Sequence, residues 1–189
     1  MAKHDQAERF HAGTLTDGWR WFGSHPDKKK DAEGWTFRVW APHAQSVSVV
    51  GDFNEWTNGV HTLTRNGEVW EGFIPGLSEY TSYKYAVTGP DGEVRLKTDP
   101  YAFHCETRPA TAGKLYDIGG FKWTDAAFLA RQEKHQVYDS PLNIYEVHLG
   151  SWKKRPNGDF YDYKDMAREL AAYVKDMGYT AIELLPVLE

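Results

Sequence analysis

The sequence predicts an all-β sandwich followed by an incomplete α/β segment. From Trp35 to about Thr98, apolar residues recur with a period of two, which is the side-chain repeat of a strand. After Pro141 the repeat becomes helical, and a short apolar run lies on either side of it. Because 41% of the residues are hydrophobic, the chain has enough apolar side chains for a packed core.

Four runs carry the strand pattern, and turn residues separate them. The dipeptides Asn66-Gly67 and Asp91-Gly92 are strong hairpin signals. Several short strands with this spacing indicate a small antiparallel sandwich. The runs are Trp35–Trp40, Ser46–Val49, Glu68–Ile74 and Ser82–Val87.

Two less regular regions flank the sandwich, which we place at residues 31–112. Residues 1–30 are predicted to be an irregular lead-in segment, with Lys28-Lys29-Lys30 as a solvated loop. Residues 113–140 are predicted to be a linker, with a short helix from Asp125 to Gln132 and Thr124 as its N-cap.

Residues 141–189 have the order strand, helix, strand. Asp162 is a suitable N-cap for the helix, and Gly178 is suited to end it. This order predicts two adjacent parallel strands joined by a right-handed crossover. A parallel strand pair needs cover on both faces, so one such unit predicts a larger α/β domain. The strands are Ile144–Leu149 and Ala181–Val187.

We expect residues 141–189 to be unstable alone or to be completed by another chain. Ile182, Leu184 and Leu185 would otherwise present an apolar face and an unpaired strand edge.

Charge and cysteine content exclude several classes of protein. The net charge of −5 argues against nucleic acid as a partner, because phosphate binding needs clustered Lys and Arg. Cys105 is the single cysteine, so no internal disulfide forms, which suits a reducing compartment. The polar N-terminus has no signal-peptide core, and no apolar run is long enough to span a bilayer. The expected location is therefore cytoplasmic, with no membrane partner.

No motif for a cofactor or a metal is present. The histidines are scattered, and none forms a paired metal spacing with another His, Cys or carboxylate. The sequence has neither a Gly-rich phosphate loop before a helix nor a Gly-x-Ser-x-Gly elbow. We expect no metal, nucleotide or acyl-transfer chemistry. The histidines are His4, His11, His25, His43, His61, His104, His135 and His148.

The segment Gly51–Trp56 offers the sharpest binding hypothesis. Its Trp lies in a polar turn that follows a strand, so the indole either packs into the sandwich or is displayed. A displayed indole can stack on the C–H face of a sugar, while nearby amides and Lys84 bond the hydroxyls. From residue type alone the buried alternative is favoured, because large aromatic residues are usually mostly buried.

A family resemblance increases the weight of the displayed alternative. The segments Val49–Trp56, Tyr83–Tyr85 and Lys97–Tyr101 resemble the family-48 carbohydrate-binding module, which implies an immunoglobulin-like, early-set sandwich. Trp56 and Lys84 match positions that contact glucan in glycogen-binding members, and Asn54 is a third candidate. A second Trp of those members would fall near Val94 and Arg95, where this chain has no aromatic residue.

Two further segments resemble the 1,4-alpha-glucan branching enzymes of the alpha-amylase superfamily. Ile144–Trp152 is similar to the first strand of their (β/α)8 barrel, and Gly178–Val187 is similar to the second. The segment Leu15–Pro26 is loosely similar to their lead-in. The resemblance implies a partner such as glycogen or amylose and a retaining transfer of an α-1,4-glucan segment to an α-1,6 branch.

The resemblance also implies that the catalytic acids lie on later barrel strands, beyond Glu189. The carboxylates of Glu146 and Glu183 lie within strands, and barrel enzymes place catalytic groups at the C-terminal ends of strands. A structural role is therefore expected for both. His148 is expected to be a buried, hydrogen-bonded strand histidine.

Three other functional hypotheses remain open. The chain is a stand-alone glucan-binding module, or one half of a split enzyme, or part of a debranching relative. Glycogen binding without residues 141–189 would favour the first, and a separate chain that begins with the third barrel strand would favour the second.

Overall fold

Short antiparallel strands dominate the first part of the chain in the computed structural model, which describes residues 3–134 and 137–187. The chain divides into two units, Met1–Phe121 and Lys122–Glu189. The strands described in the first unit are β1 (Gly23–Lys29), β2 (Ala32–Trp40), β3 (Ser46–Gly51), β4 (Thr64–Asn66), β5 (Val69–Pro75), β6 (Ser82–Thr88), β7 (Val94–Lys97), β8 (His104–Cys105) and β9 (Gly113–Lys114).

These strands form two sheets that enclose one core. The first sheet has the order β1-β2-β5-β4, and the second has the order β3-β6-β9-β8 with β7 also paired to β6. Alternate residues of both sheets meet in one buried cluster, as the period of two requires. The predicted β-sandwich is confirmed. Its core side chains include Trp35, Phe37, Val47, Val49, Tyr83 and Tyr85.

Both predicted hairpins are confirmed. Asn66 of β4 pairs with Val69 of β5, and Gly67 between them has a φ of +65°. The turn from β6 to β7 contains Gly92, with a φ of +80°. Glycine adopts this left-handed backbone without the steric cost that a Cβ brings.

The prediction that residues 1–30 are irregular is wrong in two places. A helix, α1, covers Lys3–His11, and β1 pairs along its whole length with β2. Lys28 and Lys29 therefore belong to a strand rather than a loop, although both side chains are exposed. Pro26 is tolerated because β1 is an edge strand, where one strand edge needs no ladder bonds.

A buried carboxylate ties the second sheet to β1. Asp99 is 3% exposed and accepts hydrogen bonds from the hydroxyls of Tyr83 (2.6 Å) and Tyr85 (3.2 Å). Its other oxygen accepts from the Tyr101 amide at 2.8 Å. The Tyr83 hydroxyl also lies 3.0 Å from the Ser24 hydroxyl of β1. Burial raises the pKa of Asp99, although these hydrogen bonds act in the opposite direction.

The second unit contains the predicted strand, helix and strand. Its described elements are α2 (Ala126–Gln132), β10 (Ile144–Val147), α3 (Leu149–Trp152), α4 (Tyr163–Asp176) and β11 (Ala181–Leu184). Strands β10 and β11 are parallel, which confirms that prediction. Both strands end earlier than expected. Helix α2 follows Asp125, not Thr124, at the N-cap position, and the Asp125 side chain makes no capping bond.

Helix α4 begins and ends where the sequence predicts. The Asp162 carboxylate accepts a hydrogen bond from the Asp165 amide at 2.9 Å, and Gly178 follows the helix with a φ of +78°. Leu170 and Val174 of α4 pack with Val147 of β10 in a small buried cluster.

The second strand of this unit is poorly covered, as expected. Ile182, Leu184 and Leu185 are 40%, 48% and 38% exposed.

Across the part of the chain that the structure describes, no helix combines the length and apolar character needed to cross a membrane.

Candidate functional site

A tight turn follows β3 and carries two of the three predicted binding residues. Gly51 is required at its start, because an added Cβ would lie 2.2 Å from the Ser82 carbonyl oxygen. The next three residues, Asp52–Asn54, form a single 3-10 turn. The chain then leaves the sheet and carries Trp56 with it.

The Asn54 side chain holds this turn closed. Its Oδ1 accepts from the Gly51 amide at 2.9 Å, and its Nδ2 donates to the Val49 carbonyl at 2.9 Å. The same Nδ2 lies 2.9 Å from Nδ1 of His61. Both amide hydrogens are therefore used within the protein. A direct contact between Asn54 and sugar stays a prediction, and the contacts here support the turn.

The backbone displays Trp56 at an energetic cost. Glu55 and Trp56 have φ values of +52° and +57°, which place two successive non-glycine residues in the left-handed region. Each such residue costs on the order of 1–2 kcal/mol. The indole N–H donates to Asp52 Oδ1 at 3.0 Å, so the ring is held in place. Trp56 is half-buried and lies outside the sandwich core cluster.

Lys84 lies on the outer face of the same sheet. Its neighbours Tyr83 and Tyr85 point into the core, so Lys84 points outward by the alternation of strand β6. It pairs with Val50 of β3, one residue before Gly51. Its Nζ donates to the Thr111 hydroxyl at 2.6 Å, which fixes the ammonium group against the connection that leads into β9.

The three predicted residues thus occupy one end of one sheet. An indole provides a flat apolar surface for the C–H face of a sugar, and an ammonium group donates hydrogen bonds to its hydroxyls. The position of the second sugar-binding Trp, near Val94 and Arg95, has no aromatic ring in this chain. Val94 is 48% exposed, and Arg95 is engaged with the carboxylates of Asp91 and Glu93.

Thr111 was not among the residues predicted from the sequence. It lies in a segment that has no strand periodicity, and its contact with Lys84 spans 27 residues of chain. No local pattern could have found this contact.

We find no candidate metal-binding site in the part of the chain that the structure describes. No group of three or more His, Cys, Asp or Glu residues there could hold a metal ion. His135 and Glu189 lie outside the described residues.

The prediction that His148 is buried is wrong. His148 follows β10 and is exposed, and its Nδ1 lies 2.9 Å from the Ser151 hydroxyl.

The two mid-strand carboxylates of the second unit are neighbours. Glu146 of β10 is the register partner of Glu183 of β11, and both residues are exposed. Like charges directly opposite one another destabilise a strand pair. The structural role expected for this pair stays a prediction.

One protein family matches the first unit. Residues 21–102 match Carbohydrate-binding module 48 (Isoamylase N-terminal domain). The match includes the Trp56 turn and Lys84, and it ends before Thr111.

Curated relatives match nearly the whole chain. The 1,4-alpha-glucan branching enzyme GlgB of Geobacillus stearothermophilus is 48% identical over 182 residues, which are 95% of this chain and 28% of that protein. The enzyme of the same name from Bacillus subtilis (strain 168) is 46% identical over 95% of this chain and 29% of its own length. The resemblance to branching enzymes is confirmed, and the chain spans less than a third of the relatives it matches.

Solved structures show the same fold at lower identity. The pullulanase SAP of GBS, in complex with maltotetraose, has a TM-score of 0.60 and 21% identity over 89% of this chain and 24% of that chain. Pullulanase from Bacillus acidopullulyticus has a TM-score of 0.55 and 22% identity over 89% of this chain and 22% of its own.

Proposed function

We propose that this chain forms the glucan-binding module and the first βαβ unit of the (β/α)8 barrel of a 1,4-alpha-glucan branching enzyme. Such an enzyme transfers an α-1,4-glucan segment to an α-1,6 branch point with retention, in the synthesis of glycogen. The observation that carries the proposal is 48% identity over 95% of the chain, which extends through both units.

The first unit would hold the α-glucan. Trp56 offers its ring face, Lys84 bonds sugar hydroxyls, and Asn54 keeps the turn in the shape that presents the ring. The backbone strain at Glu55 and Trp56 supports this role, because such strain persists where a displayed side chain is useful. An immunoglobulin-like, early-set class for the sandwich is part of the same proposal. The expected bounds of 31–112 are too narrow, because β1 and β9 lie outside them and pair in the two sheets.

The second unit would begin the catalytic barrel. A retaining glycosidase mechanism needs two carboxyl groups about 5–5.5 Å apart, one as nucleophile and one as acid/base. We place these acids on later barrel strands, beyond Glu189. The 189-residue chain is therefore expected to leave amylose unbranched. An iodine-stain assay on amylose tests this, and a clear change in the absorption spectrum would refute the assignment.

Replacing the displayed indole tests the role of the first unit. Trp56→Ala should reduce the affinity for glycogen about tenfold, because stacking on the ring face is lost. Native affinity electrophoresis through gels with and without glycogen measures this change. Trp123→Ala is the matched control, because Trp123 is 79% exposed and lies in the second unit.

Equal retardation of wild type and Trp56→Ala would contradict a glucan site at this turn. Absence of retardation in a folded wild-type sample would instead assign the first unit to support of the barrel. We also propose a cytoplasmic location for the protein.

A second candidate function is one half of a split enzyme, in which another chain completes the barrel sheet. The exposed Ile182 and Leu184 favour such a complementary chain.

A further inference from the structure

We propose a second α-glucan contact on the outer face of the same sheet, formed by the rings of Tyr80, His104 and Tyr116. It extends the proposed function and rests on it, since the ligand is the same α-1,4-glucan. Neither the sequence motifs nor the matched positions Trp56 and Lys84 include these rings.

The three rings hold one another in a fixed arrangement. The ring centroids of Tyr80 and His104 lie 5.6 Å apart, those of Tyr80 and Tyr116 lie 5.7 Å apart, and those of His104 and Tyr116 lie 5.6 Å apart. Tyr80 and His104 meet nearly edge to face, at 87°. Because neighbouring rings restrict each side chain, a bound sugar would cost little additional side-chain entropy.

Tyr80 is displayed by strained backbone, as Trp56 is. Its φ is +65°, and the residue is 55% exposed. The Tyr80 amide donates to the Leu115 carbonyl at 2.7 Å, so the strained turn is anchored to the chain beside β9. A large aromatic residue at positive φ is uncommon, and two of them at the same end of one sheet point to a common use.

Strand register places this cluster on the face that carries Lys84. Ser82 is two residues from Lys84 in β6, so both point outward. Ser82 pairs with Lys114 of β9, and Lys114 pairs with His104 of β8. Directly opposite residues of antiparallel strands share a face, so His104 lies on the outer face as well.

The two contacts are separated by a distance that an oligosaccharide can bridge. The Trp56 turn leaves β3, and His104 lies on β8, three strands away in the sheet order. Three strand spacings amount to about 14 Å. Lys84 and Lys114 lie between the two ends of this path.

The cluster also offers polar groups to a sugar. The Nδ1 of His104 lies 2.9 Å from the Cys105 carbonyl oxygen, which only accepts, so Nδ1 carries the hydrogen. The other ring nitrogen, Nε2, is then a hydrogen-bonding group that a sugar hydroxyl could meet. Aromatic faces beside a few hydrogen-bonding groups are the usual composition of a ligand site.

The experiment uses the full 189-residue chain, labelled with ¹⁵N and titrated with maltoheptaose. Amide shifts are expected in the Trp56 turn and, separately, at Tyr80, His104 and Tyr116. Tyr80→Ala should weaken maltoheptaose binding about threefold to tenfold, while the shifts in the Trp56 turn persist. Tyr80→Phe is the matched control, because it keeps the ring and should retain most of the affinity.

The outcomes separate this inference from the proposed function. Loss of affinity in both Trp56→Ala and Tyr80→Ala supports two contacts. Loss in Trp56→Ala alone, with a lowered melting temperature for Tyr80→Ala, overturns the second contact and assigns the rings to packing. No binding of maltoheptaose by the folded wild type overturns both.

Discussion

At the scale of single residues, Asp99 combines burial with a pH-dependent charge. Its carboxylate lies among the hydroxyls of Tyr83 and Tyr85, and its pKa is raised because burial disfavours the ionised form. The unfolded chain ionises this group near its ordinary pKa of about 3.9. Between that pH and the higher folded pKa, the unfolded state binds fewer protons, so the contribution of Asp99 to stability falls as pH rises.

We predict that Asp99→Asn removes this dependence. Relative to the variant, the wild type should lose free energy of unfolding as pH rises from about 4 toward 7, by roughly 1.4 kcal/mol for each unit of raised pKa. Urea denaturation of both proteins at several pH values measures the difference. A difference that stays constant with pH would show that Asp99 ionises alike in both states.

Asp27 supplies a control of opposite sign. The Thr36 hydroxyl donates to its carboxylate at 2.6 Å and lowers its pKa. A depressed pKa gives stability that is present above the ordinary value and is lost as pH falls. The wild type should therefore gain stability over Asp27→Asn as pH rises.

Residue type alone could not have identified the candidate site. It favoured a buried Trp56, and only the family resemblance favoured a displayed indole, so a role of Trp56 in binding stays a prediction. The internal bonds of Asn54 could not be predicted, because they depend on the path of the chain to His61. The burial expected for His148 was wrong, because β10 ends at Val147, one residue earlier.

At the scale of elements, helix α4 depends on its N-cap. The Asp162 carboxylate satisfies the Asp165 amide, and that bond lowers the Asp162 pKa. We predict that Asp162→Ala lowers the melting temperature of the second unit by several degrees, since one amide at the helix start loses its partner. Near-ultraviolet circular dichroism can follow this unit through Tyr145, Trp152 and Tyr173, whose rings pack together.

Asp162→Ser is the matched variant, because its hydroxyl can accept the same bond. It should restore most of the loss. The carboxylate cap contributes above its ordinary pKa and is lost on acidification, so the difference between wild type and Asp162→Ala should shrink as pH falls. Equal melting of the Ala and Ser variants would contradict a capping role.

Elements with strong local signals could be predicted, and those that rely on partners could not. Strands β2, β3 and β6 alternate clearly, and helix α4 has both its cap and its terminal glycine. Strand β1 has Gly23 and Pro26 within it, so its sequence resembles a loop. Pairing with β2 along its full length supplies the stability that its own residues do not.

At the scale of the whole molecule, the two units are expected to differ in stability. The first unit has a continuous core drawn from both sheets, whereas the second has a three-residue buried cluster and an exposed β11. We predict that the amides of 182–187 exchange at least about 100-fold faster than those of Tyr83 and Tyr85. Hydrogen exchange followed by mass spectrometry gives the comparison.

Light scattering accompanies this measurement, because we expect the exposed Ile182 and Leu184 to promote association. Protection that rises with protein concentration would indicate that a second chain covers the strand. Strong protection of 182–187 in a monomer would contradict the predicted instability.

The two faces of strand β6 have different roles in the first unit. Tyr83 and Tyr85 pack in the core on one side, and Lys84 lies on the other side, where we propose that glucan binds. Not every outer-face position is free of the folding requirement, because Val50 and Ala86 on the same face as Lys84 are fully buried. A designer seeking altered specificity has a surface in Lys84, Leu96 and Val94 that can be randomised while the core sequence stays fixed.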